Sequence, residues 1–170
     1  MSDKAGWYRW QEVTQYVLQG HRLFRASAPN YDEHKGDNSQ NLTADSVRFL
    51  ASQGITGVIS FNHNPYTAAQ IALLTASKIK YLHLPVEDFH PPSYEQLLSA
   101  IEFYRSLGNN ATLIHCGYGH GRTGTGVTAV QLSSTGGQSP PQSQWKSVNH
   151  VETDPQVESL LRIQSHFRGA

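Results

Sequence analysis

The sequence predicts an α/β fold: a single domain over residues 1–170, built on a central, mostly parallel twisted sheet flanked by helices on both faces. Three observations carry the prediction. Short apolar runs at Ile55–Phe61, Ile79–Leu84 and Ala111–Ile114 read as buried strands. Segments with helical spacing of apolar residues lie between them, and strands alternating with helices indicate a layered α/β sheet. The chain has 170 residues, 38% of them hydrophobic, enough for one substantial core and too few for two comfortable ones.

Taken in order, residues 7–10 (Trp-Tyr-Arg-Trp) and 22–26 (Arg-Leu-Phe-Arg-Ala) are the first strand candidates, separated by an ambiguous stretch over 11–20. Residues 31–40 are polar and turn-rich, hence a loop. Thr43 caps a helix that carries Val47, Leu50 and Ala51 and ends at Gly54. After the Ile55–Phe61 strand and Asn62-His63-Asn64-Pro65, a helix over about 67–77 carries Ala68, Ile71, Leu73 and Leu74. His63 and Asn64 follow a strand on the side where such sheets bind ligands, and the competing reading is a solvated loop. Ile79–Leu84 alternates with period two. Pro85 to Pro92 is then a defined loop, because Pro91 and Pro92 block helix and sheet. Ser93 and Gln96 form a capping box that opens a helix striped with Tyr94, Leu97, Leu98, Ile101 and Tyr104 and closed by Gly108. Beyond the next strand and helix, 133–144 is a serine-, glycine- and proline-rich connection, with Trp145 placed to pin it to the core. A last helix begins after Thr153 and carries Val157, Leu160, Leu161 and Phe167.

The chemistry concentrates in His115-Cys116-Gly117-Tyr118-Gly119-His120-Gly121-Arg122-Thr123-Gly124-Thr125-Gly126, a strand end, a glycine-dense turn and a helix start near Arg122. Glycines 117, 119 and 121 free the backbone to aim successive N–H groups at one centre, which makes an anion-binding nest. The helix dipole points its positive end at the same place. Arg122 can fork two hydrogen bonds onto a phosphate. Cys116 sits at the mouth of this cradle, in a field that favours thiolate over thiol. Gly119-x-Gly121-x-x-Gly124 also satisfies a dinucleotide fingerprint, but no acidic residue lies between Gly124 and Glu152, and the cysteine and arginine would go unexplained. A phosphate loop of the Gly-Lys-Ser/Thr type is excluded because that triplet is missing.

His115-Cys116, five residues, then Arg122-Thr123-Gly124 resembles the signature loop of the cysteine-dependent protein tyrosine phosphatases. The fuller pattern is most similar to the small atypical dual-specificity phosphatases. The resemblance covers roughly 20–133 and 151–168, with the signature loop at 115–124 and a general-acid loop at 85–92. It implies hydrolysis of a phosphate monoester through a phosphocysteine, with Cys116 as nucleophile. Residues Gly117, Tyr118, Gly119, His120, Gly121 and Arg122 would bind the phosphate. Thr123 would donate a hydrogen bond to the sulfur, and His115 would support the loop backbone. A leaving oxygen needs a positioned acid, and Asp88-Phe89-His90-Pro91-Pro92, with Asp88 placed 28 residues before Cys116, resembles the general-acid loop of the same group. Glu87 is the understudy, and His90 faces either substrate or water. Glu152-Thr153-x-x-Gln156 resembles the segment whose glutamine orients the hydrolytic water; as the third residue after Thr153, Gln156 is equally the partner in a capping box. Arg25, in Arg25-Ala26-Ser27-Ala28-Pro29, which resembles a segment near the start of many small tyrosine phosphatases, would tie loops beneath the site; the competing reading is a surface arginine on an edge strand.

Composition bounds the partners. The formal net charge is zero, so nothing calls for nucleic acid or an acidic membrane. One cysteine permits no internal disulfide, no resolving thiol and no multi-thiolate metal site; no metal and no cofactor are expected. No apolar run spans a membrane and the polar start is not a signal peptide, so a soluble cytoplasmic protein is expected. A monomer is the default. The expected partner is a phosphorylated protein or a small phosphate ester. The lysine-free loop Gly-Tyr-Gly-His-Gly at 117–121 favours phosphoprotein or a singly phosphorylated small molecule, with a phosphoinositide, inositol phosphate or nucleotide phosphatase, or a phosphate-binding pseudophosphatase, as alternatives.

Overall fold

The computed structural model describes residues 1–169. Five strands, β1 (Gln11–Val13), β2 (Arg22–Ala26), β3 (Ile55–Ser60), β4 (Lys80–His83) and β5 (Ala111–His115), form one sheet in the order β1-β2-β5-β3-β4. β2, β5, β3 and β4 run parallel, and only β1 pairs antiparallel, at the edge. The expected mostly parallel α/β sheet is therefore present. β5 lies at its centre and is buried along its whole length, as a parallel strand covered on both faces must be.

Six helices cover the two faces. α1 (Ala44–Ser52) and α2 (Ala68–Ala76) lie over a core of Trp7, Phe24, Leu50, Val58, Leu74 and Leu113. On the other side α3 (Tyr94–Ser106), α4 (Gly121–Ser134), α5 (Ser143–Ser147) and α6 (Asp154–Arg168) enclose Ile59, Phe61, Ile114, Val127, Val130 and Leu160. Side chains of one β-strand alternate between these cores, Leu113 into one and Ile114 into the other. Four helices open with the reciprocal caps that their sequences announce, at Thr43/Ser46, Thr67/Gln70, Ser93/Gln96 and Thr153/Gln156. Trp145 is fully buried and its indole N–H donates to Pro140 O at 3.0 Å, pinning the 133–144 connection.

Three expectations are corrected. Residues 7–10 are not a strand: Arg9 takes a left-handed φ of 55°, and Trp7 buries its ring and donates to Ser46 O. The first strand instead lies in the stretch that was ambiguous, at Gln11–Val13. On α2, only Leu74 of the expected stripe is buried, and Ile71 and Ala68 face solvent. On α6, Ile163 takes the core position expected of Leu161, which is exposed.

Candidate active site

β5 ends at His115 and α4 begins at Gly121, so the five residues from Cys116 to His120 turn through one tight loop over the C-terminal edge of the sheet. Gly119, at φ 106°, supplies the conformation closed to other residues, and a Cβ there would meet the backbone of Ala26 and Ser27 at about 3 Å. Cys116 is 2% exposed at the base of the loop. The Thr123 hydroxyl donates to its Sγ at 2.9 Å, as expected of Thr123.

His115 is buried without solvent contact. Its Nδ1 lies 3.2 Å from Cys116 O, and since a carbonyl only accepts, Nδ1 carries the proton. Nε2 therefore accepts from the Tyr66 hydroxyl, at 2.6 Å. Burial holds the imidazole down to about 4, so it is neutral at physiological pH. Its support of the loop backbone is thus present in the geometry, and Tyr66, which sequence reasoning passed over, completes it.

Arg122 is the most heavily partnered group in the site. Its Nη1 donates to Val86 O at 2.8 Å, its Nη2 to Asp88 Oδ1 at 3.3 Å, and both nitrogens reach the carboxylate of Asp37, Nη1 to Oδ2 at 3.1 Å. Burial alone would pull the guanidinium down, but the sulfur of Cys116 and the carboxylates of Asp37 and Asp88 more than offset this and hold it above its ordinary value. Asp88 sits in the 85–92 loop, half in solvent, with its carboxylate accepting from Phe89 N–H at 3.0 Å. Arg122 thus joins the signature loop to the general-acid loop directly. Gln96 Nε2 ties the base of that loop to α3 through Pro85 O.

Two carboxylates stand here that were not singled out as site residues. Asp37 comes from the polar 31–40 loop. Glu152 packs its carboxylate onto Gly121 near the amide of Gln156, where a Cβ on Gly121 would collide with it. Burial and the charge of Asp88 raise the Glu152 carboxyl, partly offset by the Gly121 N–H and Arg122. Gln156 is wholly buried: Oε1 accepts from the amides of Glu152 and Thr153, and Nε2 donates to His90 O at 3.2 Å. The capping role is therefore realised, and the same side chain binds the acid loop. Glu87, the understudy, points away to His90 in the exposed part of the loop.

Arg25 is buried and donates to Asn149 O at 2.8 Å and to Gly119 O at 3.1 Å, tying the signature loop to the turn before α6. Burial lowers it to about 10, partly countered by Cys116. Asn149 also donates to Thr128 and Gln131 on α4, and Gly124 lets that turn approach so closely that a Cβ would overlap Asn149 O. Tyr118 and His120 face outward on the rim, not into the nest. His63 and Asn64 are exposed, and Asn64 only accepts a hydrogen bond from Gln40; neither joins the cluster.

A family model described as the Swiss Army Knife protein, DSP-PTPase phosphatase domain, matches residues 37–167 and so begins at Asp37. Phosphatidylglycerophosphate phosphatase PTPMT2 of Arabidopsis thaliana is 26% identical over 121 residues, 69% of this chain; the chain spans only 45% of that relative. Among solved structures, kinase associated phosphatase superposes with a TM-score of 0.71 at 16% identity, covering 95% of each chain. PTPMT1 gives 0.68 at 16% identity over 94% of this chain and 96% of that one, and has also been solved with PI(5)P. The core catalytic domain of the PP-IP phosphatase SIW14 from S. cerevisiae gives 0.62 at 15% identity over 92% and 84%. The likenesses to these solved structures, all below a quarter identity, show the fold. With the family match over more than half of the chain, the loop from Cys116 to Arg122 belongs to a cysteine-dependent phosphatase domain, and the chain is a member of the DSP-PTPase phosphatase family of Swiss Army Knife proteins.

Proposed function

We propose that the chain hydrolyses a phosphate monoester without a metal, through a phosphocysteine. The observation that carries this is the convergence of four side chains: Thr123 bonded to the Cys116 sulfur, and Arg122 bonded to Asp88 across the same cleft. In the first step the Cys116 thiolate forms an S–P bond, the ester P–O bond breaks, and Asp88 gives its proton to the departing oxygen. In the second, water attacks phosphorus, the S–P bond breaks, and Asp88 takes the water's proton as phosphate leaves. Arg122 and the N–H groups of residues 117–122 stabilise the equatorial oxygens where charge accumulates. Thr123 eases departure of the sulfur. Gln156 spends Oε1 on the cap and one Nε2 hydrogen on His90 O, and its second Nε2 hydrogen is what remains to hold the water.

As substrate we propose a phosphorylated small molecule, free or as a lipid headgroup. A mostly polar cavity of about 820 Å³ opens beside Tyr118; Asn30, Asn38, Ser39, Gln40 and Asn41 form one part of its wall, and Tyr8, Arg9, Tyr31, Asp32 and Glu33 another. The amides and hydroxyls of that wall can hydrogen-bond a hydroxyl-rich molecule, which is what favours this class. The name of the Arabidopsis relative supports the same class. A phosphoprotein is the second reading, supported by the likeness of the fold to kinase associated phosphatase.

The first test is p-nitrophenyl phosphate hydrolysis against pH in EDTA, for wild type and Cys116→Ser. A bell-shaped profile that survives EDTA and vanishes in the variant supports the mechanism. Binding of phosphate without any turnover in reduced protein overturns it. Parallel assays on phosphopeptides and polyol phosphates then separate the two substrate classes.

A further inference from the structure

Along the outer rim of the signature loop runs a continuous stack. The Arg9 guanidinium lies 3.7 Å over the Tyr118 ring, and its Nε donates to Tyr118 O. Tyr118 meets His120 edge-on at 4.8 Å. His120 lies face to face on His150, with centroids 4.2 Å apart and planes within 8°. Arg9, His120 and His150 line one cavity of about 280 Å³ together with Arg25, and no carboxylate is in its wall.

The donors in this cavity are unspent. Both Nη groups of Arg9 and the ring nitrogens of His120 and His150 have no hydrogen-bond partner among the described residues. Arg25 is different: its hydrogen bonds go to Asn149 and Gly119, so it contributes charge only. The backbone is bent to build the arrangement. Arg9 and His150 both hold left-handed φ values, 55° and 65°, that such residues rarely adopt. The positive charge comes from Arg9 and Arg25; burial first, then His150, Arg25 and Arg9, holds His120 down to about 4, and burial with Arg25 lowers His150, so both imidazoles are neutral donors at neutral pH.

We propose that this cavity is a second subsite, which holds a second phosphate group of the substrate, monoester or diester, while the signature loop holds the scissile one. The proposal rests on the hydrolase reading above and adds to it the class of substrate: a small molecule carrying two phosphates. An arginine fork plus two imidazole donors, unopposed by acid, suits an oxyanion with several acceptor atoms. A singly phosphorylated substrate would leave them to solvent. The cavity shares Gly119 and His120 with the signature loop, which makes it the cavity next to the scissile-phosphate site on that rim. The cations come from positions 9 and 25, outside the signature loop, which explains why the lysine-free loop read as a site for one phosphate.

The test separates binding from turnover. In Cys116→Ser protein, calorimetry compares inositol monophosphate with inositol bisphosphate, and phosphatidylcholine vesicles with and without phosphatidylinositol monophosphate. We expect the bisphosphate to bind roughly 10-fold or more tightly, the scale of one or two charge-assisted hydrogen bonds. Arg9→Asn and His150→Asn, each made in that background, should erase the preference; asparagine tolerates left-handed backbone, so both should fold. The same preference with vesicles points to a lipid headgroup, and a preference confined to the soluble compound points to a free metabolite; both support the subsite. Equal binding of the two inositol phosphates overturns it, as does a preference that survives both substitutions or that appears only with doubly phosphorylated peptides. If the preference holds but wild type fails to hydrolyse p-nitrophenyl phosphate, the subsite stands and the hydrolase reading falls.

Discussion

Asp37 closes a two-point ion pair on Arg122 across 85 residues of chain, one carboxylate oxygen to each Nη nitrogen. The pair uses the outer edge of the guanidinium, where the two Nη groups face one another. The Asp88 contact falls on Nη2 alone, and Nε has no partner among the described residues. Asp37 therefore acts as a positioning residue: it fixes the plane of Arg122 while its carboxylate rests against Gly117 of the signature loop, and of the guanidinium donors Nε is left free.

Asp37→Ala should lower kcat of p-nitrophenyl phosphate hydrolysis by about 10- to 100-fold, because small misplacements of a clamping group are expensive in rate. The kcat should fall more than KM rises, and Asp37→Asn, which keeps one acceptor, should recover part of the loss. Phosphate binding tighter than wild type together with faster turnover would show instead that the Asp37 carboxylate sits where phosphate belongs.

Asp88→Asn should reduce kcat by roughly 10²- to 10⁴-fold for alkyl phosphates, where proton transfer to the leaving oxygen is needed. The loss should be much smaller for p-nitrophenyl phosphate, whose leaving group is stable without a proton. The plot of log kcat against leaving-group pKa should steepen in the variant. An equal loss across the series would remove Asp88 from the acid role.

The signature loop was legible because all its parts are contiguous: the glycines, Cys116 and Arg122 lie within a few residues, so one stretch of sequence states one nest. Asp88 was legible through its prolines, which define a loop. Asp37 was not, since a carboxylate in a polar loop carries no periodicity, and only the fold brings it to Arg122. The misplaced first strand has the opposite cause. Trp7 and Trp10 have strand-like composition, but their rings pack with each other at 6.2 Å around a left-handed Arg9, while the true edge strand Gln11–Val13 is too exposed to show an apolar pattern.

Thr123→Val keeps the shape of the side chain and deletes the hydroxyl that donates to Cys116 Sγ at 2.9 Å. Loss of a bond to a charged sulfur of about 1.5–3 kcal/mol should slow the breakdown of the phosphocysteine by about 10- to 100-fold. Rapid-quench kinetics should then show a burst of p-nitrophenol followed by a slow steady state. A variant with no burst and an unchanged steady state would mean that Thr123 supports only the fold of the loop.

His115 gives the protein an acid-sensitive core. The folded state takes up its proton only near pH 4, held there mainly by burial, whereas the unfolded chain takes it up near 6.5. Between these values the unfolded state binds more protons, so stability falls as pH falls, by about 3 kcal/mol if the full shift is realised. The loss begins below about pH 6.5 and levels off below about pH 4, and none of it is felt at neutral pH. His115→Gln retains an acceptor for Tyr66 but cannot titrate. Urea midpoints of this variant should start lower than wild type at neutral pH, from the lost bond to Cys116 O, and then decline less steeply on acidification. Parallel decline in both proteins would place the acid sensitivity in other groups.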